Sequence, residues 1–498
     1  MKIEEPSNHP SVGAPRPHTG AKAQQSTMTM EDRGRIPVGP PIANPLHSYW
    51  QHPKSPLAAV IEPECANPTQ PYDYAIIGSG ISGTMIAYNL FKTNPSARIV
   101  MIDAREICSG ATGRNGGHTK AGSYRTYMQH KKEVGKDEAL KLTRLEYANI
   151  IETHALAKEL GIECESQVCN TVDVIYDQRT FEEGKKAIEE LEADATEEER
   201  QTGKMAGYRI YQANDGIKQK FWVDDTNSNP AAGEEKEKVA GAFEYLAGKI
   251  HAYRFATGIL KHIVQNNALQ LSRTVILATN GYTPYLLPTL QGAIVPLRGQ
   301  IIASKPPPTA RHPSVLPKTY SFIYGDGYEY MIPRQLPDGG QHIVIGGGLG
   351  RLANAGASEY GTVDDSCLNE EVSTYLHGTV EGYFGAPTSS SSAQDAPEYE
   401  IVHEWTGIMG ATADGRPFVG EVPGQKGVWI SAGFNGHGMV LCLKAAEALV
   451  GMMDGKSLDW FPESFLISEE RVGKARFGGR TDMRVPETGE GPVGTGES

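Results

Sequence analysis

The first chemistry legible in this chain lies in one glycine turn and one carboxylate. Gly78-Ser79-Gly80-Ile81-Ser82-Gly83 follows the apolar run Tyr74 to Ile77, and a second apolar run, Arg98 to Ile102, ends on Asp103, twenty residues beyond Gly83. Gly78 permits a tight turn, Gly80 lets backbone approach a pyrophosphate, and Gly83 lets a helix sit close on its strand. The helical pattern that follows, with Ile81, Met85, Tyr88 and Leu90 or Phe91 apolar, would present unpaired N–H groups and a partial positive charge to phosphates. Asp103 stands where a carboxylate accepts hydrogen bonds from a ribose. Strand, glycine turn, helix, strand and acid together predict a dinucleotide site. A chance glycine-rich turn without a ligand is the alternative.

The elements that position these residues belong to a chain of 498 residues, too long for one compact core. Two domains, or one interrupted by another, are expected. A formal net charge of -13 argues against nucleic acid and anionic membrane surfaces as partners. No apolar stretch reaches the roughly 18 residues that would span a bilayer. The beginning lacks an apolar signal core, Glu4 and Glu5 come early for a mitochondrial presequence, and the final Gly-Glu-Ser is not a peroxisomal address. The expected location is therefore cytoplasmic. The cysteines, Cys65, Cys108, Cys164, Cys169, Cys367 and Cys442, are scattered without a C-x-x-C pair. Reduced thiols are expected, and no metal site.

Residues 1 to about 70 are rich in Pro, Ser and Thr and predict a disordered segment or an arm over the surface, with Asn44 to Trp50 the part that docks. Helices are expected over Glu138 to Leu160, with Gly161 as C-cap, over Phe181 to Ala195, Tyr253 to Asn267 and Met439 to Met453. Strands are expected over Val168 to Tyr176, Val239 to Glu244, Val275 to Leu277, Glu400 to Trp405 and Val428 to Ser431. A mostly β region is expected from Ala293 to Gly348. Pro387 to Ala396 is a low-complexity loop, and the Gly-rich stretch from about Arg471 is expected to be a loose tail.

Further motifs go beyond a generic nucleotide fold. They are Ser109-Gly110-Ala111-Thr112-Gly113-Arg114-Asn115-Gly116-Gly117-His118, then Ala278-Thr279-Asn280-Gly281-Tyr282, then Gly415-Arg416-Pro417 and Gly433-Phe434-Asn435-Gly436-His437-Gly438. In this order they resemble the D-amino acid oxidase / glycine oxidase superfamily of FAD-dependent oxidoreductases (the DAO family). The likeness is strongest to fungal and bacterial members similar to γ-glutamylputrescine oxidase, and it covers roughly residues 44 to 467.

The resemblance implies an α/β protein whose FAD-binding Rossmann-like domain is built from discontinuous segments, 71–165, 238–296 and 400–467. An inserted antiparallel-sheet substrate domain would span 166–237 and 297–399, with an arm at 1–70 and a flexible tail at 468–498. It implies FAD contacts from Gly78, Ser79, Gly80, Ile81, Ser82 and Gly83, and from Asp103, Ala104 and Arg105. The loop residues Thr112, Arg114, Asn115, Gly116, Gly117 and His118 would add to them, as would Ala278, Thr279, Asn280, Gly281 and Gly407. Asn435, Gly436, His437, Gly438 and Met439 complete the set. Arg114 and Asn115 would bring a cation and free N–H groups beside the diphosphate. The last helix, opened by Gly436-His437-Gly438, would point its positive end at the flavin edge that gains charge on reduction. His118 either hydrogen-bonds near the ring or attaches FAD covalently.

The implied reaction is oxidation of a C–N bond of an amine or amino acid by hydride transfer to flavin N5, with O2 as acceptor and a small-molecule amine as substrate. Arg298 would pair a substrate carboxylate, or form an ion pair at a domain junction. Tyr330, like Tyr328, would line the pocket or pack. Arg416 would stabilise reduced flavin or meet a carboxylate, and Trp405 would lie near the ring or in the core. One departure stands out. Relatives carry extra strands between the helix ending near Asn267 and the strand before Ala278, one of them against the adenine, whereas here Ala268-Leu269-Gln270-Leu271 runs almost directly into Ser272-Arg273-Thr274-Val275. Two alternatives follow: a tailoring oxidase of a natural product, and a catalytically silent FAD-fold protein lacking part of the FAD domain.

Overall fold

The computed structural model describes residues 28–58, 72–233, 237–266, 274–325, 327–387 and 398–481. Two sheets organise them. The smaller has five strands in the order β13-β14-β7-β1-β2. β1 (Tyr74–Ile77) lies parallel to both β2 (Ile99–Ile102) and β7 (Thr274–Leu277), with Tyr74 opposite Ile99 on one side and Thr274 on the other. β14 (Val428–Ala432) continues the parallel set, and β13 (Phe418–Glu421) closes the edge antiparallel. These short β-branched runs suit a sheet covered on both faces, and Ile76 and Ile99 are wholly buried.

Helix α1 (Ile81–Thr93) leaves the glycine turn directly and packs against α5 (Ala252–Asn266) and α6 (Cys442–Met453). Gly83 makes this possible: a Cβ there would stand 2.0 Å from the Gly78 carbonyl oxygen. Between these elements α2 (Ser123–Val134), α3 (Lys136–Glu159) and α4 (Gln178–Asp194) cover one side of the molecule. Gly161, at φ +62°, ends the turn after α3.

The larger sheet has nine strands. Its order is β12-β8-β11-β10-β9-β4-β6-β3, and β5 (Arg209–Gln212) pairs with β6. The members are β3 (His118–Thr119), β4 (Gln167–Ile175), β6 (Gly241–Lys249), β8 (Ile294–Lys305), β9 (Thr319–Tyr324), β10 (Gly327–Gln335), β11 (Gln341–Gly347) and β12 (Glu400–Thr412). All its pairings are antiparallel except β4 with β9. One apolar core fills the space around α1, α5 and α6, and another lies under the large sheet around Phe322, Tyr320 and Tyr383.

Several expectations change. Gly241–Lys249 and Glu400–Thr412, assigned from the sequence to the nucleotide half, are strands of the large sheet. A strand's own pattern reports that it is buried, not which sheet it joins. The segment expected to be a loose tail is packed as far as Thr481: Glu469–Lys474 is helical, and Phe477 and Arg480 are 4% and 5% exposed. The arm is ordered over residues 28–58, and Trp50 is buried. Residues 1–27, 59–71 and 482–498 lie outside the described residues, as does most of the low-complexity loop. The connection 267–273, expected to be short, also lies outside them; α5 ends at Asn266 and β7 begins at Thr274, directly beside β1 and β14.

Candidate active site

The glycine turn, the loop after β2 and the inner face of the large sheet enclose a cavity of about 440 Å³. Its lining brings Gly78, Gly80, Ile81 and Ser82, with Asp103, Ala104 and Arg105, into one space with Tyr328 and Tyr330 of β10 and with Gly436, His437 and Gly438. Thr112, Arg114, Asn115, Gly116 and His118 form one wall, and Ala278, Thr279, Asn280, Gly407 and Met439 contribute to the others. So of the residues expected around the cofactor, most converge on a single space although they come from six separate stretches of chain.

The remaining expected residues support the cavity from behind. Ser79 donates from both N and Oγ to Asp103 Oδ2, at 2.8 and 2.5 Å, which fixes the acid while its side chain stays exposed at the end of β2. Gly117 (φ +74°) passes within a Cβ radius of the Ile250 carbonyl, and Gly281 lies against the Met409 carbonyl. Asn435 Oδ1 accepts from Thr412 N at 2.8 Å, and its Nδ2 donates to Thr412 Oγ1 at 2.9 Å. It thereby holds the Gly433–Gly438 turn on β12. The same turn is gripped by Asn280, whose Oδ1 accepts from Gly433 N and Phe434 N at 3.0 and 3.1 Å.

Arg114 is a strut. It is 2% exposed, and its guanidinium donates to the carbonyls of Ser109 (2.9 Å), Thr406 (2.8 Å) and Leu46 (2.7 Å), with Asp365 at 3.6 Å. The expected cation beside a diphosphate is thus engaged with carbonyls in the wall. Trp405, wholly buried, donates from Nε1 to the Arg114 carbonyl at 2.7 Å and does not line the cavity. His118 Nε2 sits 2.7 Å from Thr319 Oγ1, and burial, with Lys120 nearby, holds its imidazole well below the ordinary range and therefore neutral. Lys120 also lines the cavity, paired with the buried Asp173 carboxylate and donating to Ser321 Oγ at 2.5 Å.

Two of the three residues expected to be catalytic lie elsewhere. Arg298 pairs with Glu359 (2.7 Å) and also donates to the Asp364 carbonyl. Arg416 pairs with Glu133 (2.8 Å) beside Asp414. Both are structural ion pairs, and neither lines the cavity. Tyr330 does line it, with its ring close against Gly116: a Cβ on that glycine would be 2.7 Å from Tyr330 Cε2. Helix α6, expected to open at Gly436-His437-Gly438, starts at Cys442 after a 3-10 turn over Gly438–Val440, and Cys442 lines the cavity.

Sequence reasoning missed Lys120, Arg125 and Arg480, all in the cavity wall. Lys120 carried a weak signal, being two positions beyond His118 along the same extended stretch. Arg480 carried none, because a Gly-rich segment gives no periodicity to read. Also unforeseen were exposed apolar side chains in the lining: Ile102, next to Asp103 in the chain, with Tyr285 and Leu286, are 47%, 50% and 43% exposed.

These features fit a flavin dinucleotide. Side chains at Gly78 and Gly83 would strike backbone oxygen at 2.5 and 2.0 Å, and one at Gly80 would crowd Thr112 Oγ1 at 3.1 Å, so the turn keeps its backbone bare on the cavity side. The exposed carboxylate of Asp103 suits ribose hydroxyls, and the exposed apolar side chains of the same lining suit an aromatic base. Among the described residues no cluster of His, Cys, Asp or Glu could hold a metal ion, and no helix is long and apolar enough to cross a membrane.

Comparison with known proteins agrees. The family model described as "FAD dependent oxidoreductase" (DAO) matches residues 73–452. Relatives include a probable oxidoreductase OrdL of Rhizobium meliloti, 26% identical over 438 residues, covering 82% of this chain and 91% of that protein. A glycine oxidase of Pseudomonas putida is 27% identical over 186 residues, covering 36% of this chain and 41% of that protein. Among solved structures, glycine oxidase from Geobacillus kaustophilus superposes with a TM-score of 0.60 at 15% identity, covering 80% of this chain and 99% of that one. L-proline dehydrogenase from P. horikoshii gives 0.58 at 16% identity, covering 82% and 100%. These last two likenesses speak to the fold.

Proposed function

This chain belongs to the DAO family of FAD-dependent oxidoreductases, and from that premise we propose that it oxidises the C–N bond of a small amine or amino acid. The observation that carries the reading is the single cavity joining the dinucleotide end, at Gly78 to Asp103, to a pocket in the large sheet walled by Tyr328 and Tyr330. A bound FAD would supply the two-electron acceptor for hydride leaving the carbon that bears the nitrogen, with O2 as the final acceptor.

The protein's own share is placement. Tyr330, held against Gly116, sets how deep a substrate can enter. The neutral His118 and the Lys120–Asp173 pair present polar groups without a mobile charge on that wall. Buried walls would exclude water and favour the neutral form of the amine. No strong acid–base group is needed, because deprotonating an amine near neutral pH is the one proton step before hydride loss.

FAD contacts are proposed from Gly78, Gly80, Ile81, Ser82, Asp103, Thr112, Asn115, Gly116, His118, Thr279, Gly407, Gly436 and Met439, with Ser79, Gly83, Gly117, Gly281 and Asn435 as supports. Purified protein reconstituted with FAD should release hydrogen peroxide and a carbonyl product, in equal amounts, from a member of an amine and amino-acid panel. Peroxide without a carbonyl product, or neither, would contradict the reading. Acid precipitation that leaves the flavin in solution assigns His118 to hydrogen bonding; flavin retained in the pellet assigns it to a covalent link.

A further inference from the structure

Oxidation of an amine begins with a proton. Near neutral pH a small amine is an ammonium, and its nitrogen must lose a proton before the neighbouring carbon gives up hydride. The large cavity offers poor acceptors for that proton. Among its described lining residues Asp103 is the one carboxylate, and it is held by both Ser79 bonds. Burial makes the His118 imidazole a weak base, and Lys120 is tied to Asp173.

A smaller cavity of about 50 Å³ adjoins the large one. Gly122, Arg125, Phe434 and His437 line both, so a single layer of residues divides them. The small cavity is set between α2, which supplies Thr126 and His130, and α3, which supplies Leu142 and Glu146. Its volume is several times the roughly 10–15 Å³ that one water needs, and its walls carry the polar groups that hold water. Glu146 is the member suited to proton traffic. Ser123 Oγ, at the start of α2, donates to its Oε2 at 2.5 Å. Withdrawal from solvent outweighs that bond and raises the carboxyl to about 7, where it both takes and gives a proton. Arg125 and His130 of α2 and His437 of the Gly433–Gly438 turn face the same space, and the Tyr208 hydroxyl is near enough to feel the carboxylate. Arg125 lies 4.3 Å from the Tyr328 ring centroid. Burial, with Arg416 close by, pushes His130 down to about 4 despite the nearby Glu133 and Asp414, so at neutral pH its ring is an uncharged part of the wall.

We propose that the small cavity is a water-holding side chamber of the active site, and that through it Glu146 receives the proton lost by the substrate ammonium. The N–H bond breaks and its electron pair stays on nitrogen. The proton passes at the shared wall to water in the chamber and from there to the Glu146 carboxylate, which afterwards returns it to bulk water. The two electrons of the oxidation leave separately, with the hydride, so Glu146 changes its protonation and not its oxidation state. It acts through water and does not touch the substrate. The proposal deepens the amine-oxidase reading of the large cavity and rests on it.

The test uses the full FAD-loaded chain and has two readouts. Infrared difference spectra of the resting protein, without substrate, should show a carboxyl band that titrates near neutral pH and is missing in Glu146→Gln. Anaerobic flavin reduction is then timed from about pH 6 to about 9 with the panel amines, glycine and L-proline among them. The wild-type rate should fall as pH drops and Glu146 becomes protonated. That limb should vanish in Glu146→Gln, whose rate above neutral pH should be lower by about 10-fold or more at unchanged FAD content. The substrate's own ionisation lies higher and moves both proteins alike. Glu146→Asp should restore part of the rate. Thr126→Leu, which fills the chamber and leaves Glu146 in place, should slow the same step and covers the case in which Glu146→Gln does not fold. A limb that survives in Glu146→Gln, a rate unmoved by Thr126→Leu, or no titrating carboxyl band would each overturn the proposal while leaving the amine-oxidase reading standing. Flavin that no amine reduces at any pH would sink that reading and the proposal with it.

Discussion

At the scale of single residues, Asp103 is the group whose loss should tell most about the dinucleotide end. It is exposed, fixed by two Ser79 bonds, and lines the cavity. Asp103→Ala should weaken FAD binding by roughly 10-fold or more, since hydrogen bonds to a charged acceptor are worth about 1.5–3 kcal/mol. Fluorescence titration of apoprotein with FAD reads this directly; unchanged affinity would remove Asp103 from the site. His154 makes a different, pH-linked prediction. It is buried, hydrogen-bonded to Thr119 and Ser166, and burial pushes its pKa down to about 4. Its ordinary value is 6.5, so between 6.5 and 4 the unfolded chain binds a proton that the folded one refuses. Stability is therefore full above 6.5 and falls as pH drops toward 4, by on the order of 3 kcal/mol for this group. His251, pushed down to about 3, acts in the same sense. His154→Gln should reduce the slope of unfolding free energy against pH in that window, and an unchanged slope would contradict the assignment.

At the scale of elements, the arm is more than a covering. Leu46 offers its carbonyl to Arg114, Ser48 Oγ donates to the Gly113 carbonyl at 2.6 Å, and Gln51 Nε2 donates to Ser109 and Gly113 carbonyls at 3.2 Å. Tyr49 stacks on Trp405, which itself holds the Arg114 carbonyl. Pro40 and Pro41 complete the cavity wall. The loop that lines the cofactor space is thus held from outside by residues 46–51. Deleting residues 1–52 should speed FAD release by at least about 10-fold, given two or more lost bonds near 1 kcal/mol each; a stopped-flow chase of bound FAD measures it. The sequence marked Asn44 to Trp50 as the docking part because two aromatics in a polar arm need a groove, and that much was local information. It could not mark the partners, which lie 60 to 360 positions away. Gly83→Ala is the matching test of the turn: its Cβ would stand 2.0 Å from the Gly78 oxygen, so α1 must shift, and the variant should be purified without flavin or not at all.

At the scale of the whole molecule, what was legible followed from how local each feature is. The dinucleotide turn, α1, β1 and β2 were readable because glycine spacing and the apolar runs sit within one stretch of chain, as their observed spans Tyr74–Ile77, Ile81–Thr93 and Ile99–Ile102 show. Sheet membership was not, because β6 and β12 join the large sheet through pairings with β4 and β8 distant in sequence. Arg298 and Arg416 looked available because a charge in a motif reveals nothing about its partner, and Glu359 and Glu133 take them. Arg480 was invisible for the converse reason: its position depends on the anchors Arg471 and Phe477 packing on β13 and the arm. β7 pairs in register with β1 and β14, and the glycine turn lies against Ala278.

The most direct measurement is the visible spectrum of the FAD-loaded protein, recorded anaerobically before and after each member of a panel of amines and amino acids. The expected result is bleaching of the flavin bands by one or more of them, with colour returning when air is admitted. A protein that binds FAD and is bleached by dithionite but by no amine, or one that takes up no FAD when it is supplied, would contradict the account.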